Sequence, residues 1–198
     1  MKTILSLIIL FCSTVSFSQS AESVLKSLQT KFNTIADLSA DVAQKINGES
    51  ALSGKLFFKK ENSLRLELGN QIIVADGKTS WNYDHKNKKV IISNYDENGA
   101  GFLSIKYLIY DYPEECNLSL SSEGNKTVLI LKPKSKRNNL GEVRLVINKE
   151  NLIDKTVIEN QSTGTMEVIF SNYKLNQNLQ NSKFTFTAPE GTAVVDLR

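Results

Sequence analysis

The chain is poor in the residues that carry most enzyme chemistry and most covalent cross-linking. It has one histidine, His85, and two cysteines, Cys12 and Cys116, with two methionines and three prolines in 198 residues. With so few soft ligands a zinc site would depend on carboxylates, and no pattern such as H-E-x-x-H supplies one. His85 sits in Tyr83-Asp84-His85-Lys86-Asn87, a polar hairpin turn with no Ser, Cys or ligand partner at a useful spacing, so a solvated ring is predicted. Cys116 has no basic neighbour that would stabilise a thiolate, which points to a half-buried structural thiol. Glu114-Glu115 follows Pro113 and reads as an acidic loop. Adjacent residues on an extended chain face opposite ways, which argues against a glycosidase-type carboxylate pair. No catalytic residue, metal or cofactor is expected.

Charge of one sign is also missing. The 24 basic and 21 acidic residues give a net +3, and removal of Lys2 with the segment described next leaves +2, too near neutral for a nucleic-acid partner. The basic run Lys132, Lys134, Lys136 and Arg137 beside Pro133 reads as a solvated loop that could instead dock an acidic partner. No stretch reaches the roughly 20 apolar residues of a membrane-spanning helix. The longest apolar run, Ile4 to Phe17, follows Lys2 and ends at Ser16-Phe17-Ser18, the layout of a signal peptide. Residues 1–18 are therefore expected to be removed, with cleavage after Ser18 and a mature chain from Gln19. Cys12 could mark a lipid anchor, but Leu10 and Phe11 stand before it where small residues would be needed. Its removal leaves Cys116 alone, so no disulfide can form within the chain and stability rests on an ordinary core. About 180 remaining residues with no Pro/Gly/Ser-rich linker predict one domain, 19–198.

Two stretches read as helix. Val24, Leu25, Leu28, Phe32, Ile35 and Leu38 recur at helical spacing behind Ser20, a candidate N-cap, and predict an amphipathic helix of about five turns. The second, Phe102 to Tyr110, has almost no polar face beyond Ser104 and Lys106, and Asp111 and Pro113 are expected to end it. The rest alternates with period two. Strands are predicted near Ser53 to Lys60, Leu64 to Leu68, Gln71 to Ala75, Ser80 to Tyr83, Lys89 to Ser93, Asn117 to Ser121, Thr127 to Pro133, Glu142 to Asn148, Ile153 to Asn160, Thr165 to Tyr173 and Lys183 to Thr187. Asp76-Gly77, Glu123-Gly124 and Thr163-Gly164 supply tight turns. Such a succession of hairpins predicts one large curved sheet or barrel in meander order. In Leu56-Phe57-Phe58, Gln71-Ile72-Ile73-Val74-Ala75 and Val128-Leu129-Ile130-Leu131 the alternation fails, and strands apolar on both faces need cover on both. An internal cavity would explain part of that surface; on periodicity alone a packed β-sandwich core is the simpler account.

Several segments resemble the LolA family of outer-membrane lipoprotein carriers, in order and across nearly the whole mature chain. The end, Lys183-Phe184-Thr185-Phe186-Thr187-Ala188-Pro189-Glu190-Gly191-Thr192-Ala193-Val194-Val195-Asp196, is similar to the family's closing F-x-F-x-x-P-x-G-x-x-V-x-D. Ile73 to Asp84, with Asp76-Gly77-Lys78, Trp81 and Tyr83, resembles its central hairpin. Gly54-Lys55-Leu56-Phe57-Phe58-Lys59-Lys60 resembles its glycine-led early strand, and Ala40 to Gln44 the end of its first helix.

The resemblance implies an α+β fold, mainly β: an incompletely closed antiparallel β-barrel of about eleven strands with an apolar cavity, capped by a helical lid for which Phe102 to Tyr110 is suited. It implies a non-enzymatic periplasmic carrier that takes acylated lipoproteins from an inner-membrane lipoprotein-releasing transporter to an outer-membrane acceptor, acting as a monomer. Leu56, Phe58, Leu66, Trp81, Phe102, Leu103 and Leu108 are the expected lipid-contacting residues. Well-known members end the early strand in an Arg-Pro whose arginine ties down the lid. This chain has Lys60-Glu61 there, and lysine lacks arginine's forked donor set. Lys60 and the nearby Arg65 are the candidates for lid locking. The rival is a periplasmic sensor or scaffold module of the same fold that binds protein or lipid without carrying cargo.

Overall fold

The computed structural model describes residues 20–60, 62–96, 105–135, 140–160 and 164–198. The chain opens on α1 (Ala21–Asn33). Ser20 caps it as the sequence predicts, its hydroxyl accepting from the Ser23 amide at 3.1 Å and so satisfying one of the orphan donors of the first turn. Val24 and Leu28 are buried on the inward stripe. The helix is shorter than the apolar spacing suggests. Thr34 closes it, and Leu38 begins the alternation of a strand, with Leu38, Ala40 and Val42 buried and Ser39 and Asp41 less so. Ala40 to Gln44, by resemblance the end of the first helix, thus lies inside β1 (Asp37–Ile46). Ile35 and Leu38 keep the helical phase by coincidence, because both insert into the same core that α1 packs on.

Among the described residues twelve strands follow one another in a single sheet: β1, β2 (Glu49–Lys59), β3 (Ser63–Leu68), β4 (Gln71–Asp76), β5 (Thr79–Asp84), β6 (Lys89–Asn94), β7 (Cys116–Glu123), β8 (Lys126–Pro133), β9 (Leu140–Ile147), β10 (Ile153–Asn160), β11 (Gly164–Leu175) and β12 (Ala193–Asp196). Their spatial order is β12-β6-β5-β4-β3-β2-β1-β11-β10-β9-β8-β7. The pairings are antiparallel except β12 with β6, and β7 and β12 are the free edges, so the sheet curves without closing. Ten of the predicted strands are present. The eleventh, Lys183 to Thr187, is instead a 3₁₀ turn at Asn181–Phe184 followed by extended chain without a strand partner, and β1 and β12 have no counterpart among the predicted strands. At the β4–β5 hairpin only Gly77 has positive φ, at 85°. That fits a type II′ turn with glycine first rather than type I′, and the Asp76 carboxylate accepts from the Lys78 and Thr79 amides.

Register sorts the side chains into two faces. Residues paired across strands share a face, so Leu38, Phe58 and Leu64, then Leu56, Leu66 and Ile73, lie together on the concave side. Leu118, Leu131, Val143 and Ile158 continue it through the second half. This face is the main core. Phe57, Arg65, Val74 and Trp81 form a row on the convex side. That second apolar surface is covered by the C-terminal segment, whose 3₁₀ turn lies on β3 and β4. Phe184 is fully buried, Phe186 packs 5.3 Å from the Tyr83 ring, and the Lys183 ammonium sits 3.8 Å over the Phe57 ring. The phenylalanines of the closing motif therefore cover the outside of the sheet.

Candidate functional site

The concave face is an apolar bowl. Its floor in the second half carries Leu129, Leu131, Val143, Leu145 and Ile158, all inaccessible to solvent. Towards β5 and β6 the same face turns polar, with Ser80 and Ser93 sharing a 2.8 Å hydrogen bond and Asn82 exposed. The bowl is filled by α1 and by the second helical segment, a π-helical turn Tyr107–Asp111 running into α2 (Tyr112–Glu114). Pro113 does not end this segment as predicted. It lies inside the continuous helical stretch, one residue before its end, and Glu114 and Glu115 close a helix rather than forming a loop. α1 rests on β7 and β8 and touches the second helical segment.

Several hydrogen bonds join these helices to one another and to the sheet. The Gln29 side-chain amide donates to the Ile109 carbonyl at 2.9 Å. The Tyr110 hydroxyl reaches the Gln29 carbonyl at 3.2 Å and Asn33 Oδ1 at 2.8 Å. The Tyr112 hydroxyl donates to the Gly141 carbonyl at 2.7 Å. Apolar contact adds to these bonds, including Phe32 between Phe58 (5.3 Å) and Tyr110 (6.3 Å). Beneath α1 and the π-helical turn, Leu28, Phe32, Leu38, Ile109, Ile153 and Tyr173 leave a space of only about 20 Å³, room for about one water molecule. Here the bowl is filled by its own helices.

Leu56, Phe58, Leu66 and Leu108 of the predicted contact residues come together here: the first three line the bowl and Leu108 is buried in the helical cover. Trp81 does not join them. Its partners Val74 and Ile92 place it on the convex face, because one residue of strand phase sends a side chain to the opposite side. Phe102 and Leu103 lie outside the described residues, as do Cys12 and Ser18. The two candidates for lid locking also separate. Lys60 Nζ donates to the Asn33 backbone carbonyl at 2.6 Å, at the C-terminus of α1 where a cation suits the helix dipole. Arg65 is on the convex face, its Nε 2.6 Å from Glu67 Oε1, so it does not reach the helices. Asn33 takes Lys60 on its main chain and Tyr110 on its side chain. Lysine thus contacts the second helical segment through one intermediate residue.

Sequence reasoning misses Gln29, Asn33 and Tyr110. Their partners are about 80 residues away along the chain, and no local pattern signals such a bond. The concave residues of β1 are missed too, because their period-two alternation begins where the helical spacing still fits.

Cys116 starts β7 and is buried. Burial pushes its thiol up to about 11, against the opposing pull of a hydrogen bond to Tyr112, whose own hydroxyl burial also pushes up. Burial thus favours the neutral form of the thiol, as for a packing group. His85 is exposed, and its ring meets the edge of Tyr83, 4.6 Å between ring centroids. Among the described residues no three His, Cys, Asp or Glu side chains converge as a metal site would require, and none of the helices is long and apolar enough to cross a membrane.

Residues 33–187 match the family model described as outer membrane lipoprotein carrier protein LolA. An outer-membrane lipoprotein carrier protein of Legionella pneumophila (strain Corby) is 28% identical over 203 residues, covering 98% of both chains. One from Histophilus somni (strain 129Pt) is 29% identical over 185 residues, covering 88% of each. Among solved structures, an uncharacterized conserved protein from Thermus thermophilus shares the fold with a TM-score of 0.62 at 16% identity, over 89% of this chain and 98% of that one. The matched region runs from the end of α1 to the two phenylalanines on the outer face, and so takes in the whole apolar bowl. The chain belongs to the outer membrane lipoprotein carrier protein LolA family.

Proposed function

We propose that the protein is a periplasmic carrier that binds the acyl chains of lipoproteins on the concave face and transfers them from the inner to the outer membrane, without catalysing a reaction. The observation that carries this reading is an extended apolar face packed against a helical cover whose core contacts are apolar. Burying hydrocarbon yields roughly 0.8 kcal/mol per methylene, so part of one acyl chain offsets the contacts of a helical turn. The cover competes with cargo for the same surface, and that competition keeps the hold weak enough for release. Leu56, Phe58, Leu66 and Leu108 are the contact residues, with Phe102 and Leu103 as further candidates in the approach to the second helical segment. A monomer suffices, loaded by an inner-membrane lipoprotein-releasing transporter and unloaded at an outer-membrane acceptor. The expected entry to the periplasm is by the signal peptide, cleaved after Ser18.

Photo-crosslinking in cells tests this directly. A benzophenone amino acid at Phe58 should capture acylated lipoproteins, while the same probe at Trp81 on the convex face should not. Capture of unacylated soluble proteins at both positions would replace the carrier with a sensor or scaffold module of the same fold.

A further inference from the structure

A buried polar side chain interrupts the floor of the bowl. Register across the concave face places Leu120, Leu129, Leu145, Thr156, Val168 and Gln44 in one row. Thr156 is 1% exposed, and its Oγ1 has no hydrogen-bond partner. A buried hydroxyl in that state forfeits the bonds it made to water and gains nothing in return. Valine has nearly the same shape, is better suited to the interior of a sheet, and occupies the adjacent place in the row at Val168. The hydroxyl has no function in the closed packing. Its row neighbour Gln44, two strands and therefore about 10 Å away, donates its amide to the Met166 thioether, a weak acceptor.

We infer that Thr156 is a polar contact inside the bowl for the carbonyl of an ester- or amide-linked acyl chain, donating its hydroxyl hydrogen to that oxygen once the helices have moved aside. The inference rests on the lipid-carrier reading and adds a chemical preference to it. Hydrocarbon is held by the leucines without discrimination, whereas the hydroxyl rewards a chain whose linkage presents an acceptor.

The test compares a diacylglycerol with the dialkylglycerol of the same chain length, which lacks the two carbonyls, each displacing anilinonaphthalene sulfonate from the purified mature protein. One net hydrogen bond predicts an ester preference of about three- to ten-fold. Thr156→Val should bring the ratio to near one while leaving dialkylglycerol affinity and folding intact, and Thr156→Ser should retain the preference. An unchanged ratio in Thr156→Val overturns the assignment, as does equal binding of both lipids by the wild type. Failure of either lipid to displace the dye would instead overturn the carrier reading itself, a separate result.

Discussion

Strands β7 and β8 bury their concave face beneath α1, whereas β3 and β4 bury their convex face beneath the C-terminal segment. The two covers differ in attachment. The C-terminal segment is pinned where it leaves β11: the buried Asp37 carboxylate accepts the Gln177 and Leu179 amides, and Lys59 Nζ donates to the Leu179 carbonyl and Asn181 Oδ1. Its far end is locked as β12 against β6. The second helical segment instead meets α1 and β9 through the uncharged donors Gln29, Tyr110 and Tyr112, and runs directly into β7. The carrier proposed above would keep the C-terminal lining, fixed by polar anchoring in low dielectric, and exchange the helical cover for other apolar matter.

The largest expected effect falls on the fixed side. Phe184→Ala opens a hole over β3 and β4 and should lower stability by about 3–5 kcal/mol, read as a fall in urea midpoint, while the folded fraction keeps its lipid affinity; loss of affinity without loss of stability would contradict the division of faces. Next, Gly54 joins the halves, paired with Val42 and Leu68. A Cβ there would stand 1.6 Å from the Glu67 carbonyl oxygen, so Gly54→Ala must push β2 from β3 and should cost about 3 kcal/mol, with line broadening in NMR spectra spreading across both halves.

On the displaceable side, Tyr110→Phe removes the bonds to Gln29 and Asn33 at a cost of about 1 kcal/mol. Amide exchange in Tyr107–Asp111 should quicken about five-fold and lipid uptake should rise; slower uptake would mean that Tyr110 serves cargo and not closure. The smallest effect is on pH dependence. Cys116 is raised from 9.0 to about 11 in the fold, so the unfolded chain loses its proton first and stability falls as pH rises through that window. Cys116→Ala should flatten the decline in urea midpoint between pH 9 and 11; an identical slope would show that other groups cause it.

Much of the meander is legible in the sequence, since Leu64 to Leu68 or Lys89 to Ser93 alternate cleanly and carry their turns beside them. β1 is not, because Ile35 and Leu38 extend the helical spacing past the point where Thr34 ends α1. Lys183 to Thr187 misleads for the opposite reason: Phe184 and Phe186 alternate as a strand does, yet they cross the sheet's outer face. Asparagine carries a further signal. Asn47, Asn62, Asn151, Asn172, Asn176 and Asn178 all adopt positive φ, so asparagine does at these bends what glycine does elsewhere.

By itself the sequence determined that this is a β-rich chain with little reactive chemistry and two apolar faces on its central strands, because strand phase and composition are local properties. Which face each residue serves was decided only by the tertiary structure. Trp81, Arg65 and the closing phenylalanines lie outside and Leu56, Phe58, Leu66 and Thr156 inside because register, curvature and the path of the C-terminal segment are set by contacts between residues far apart in the chain.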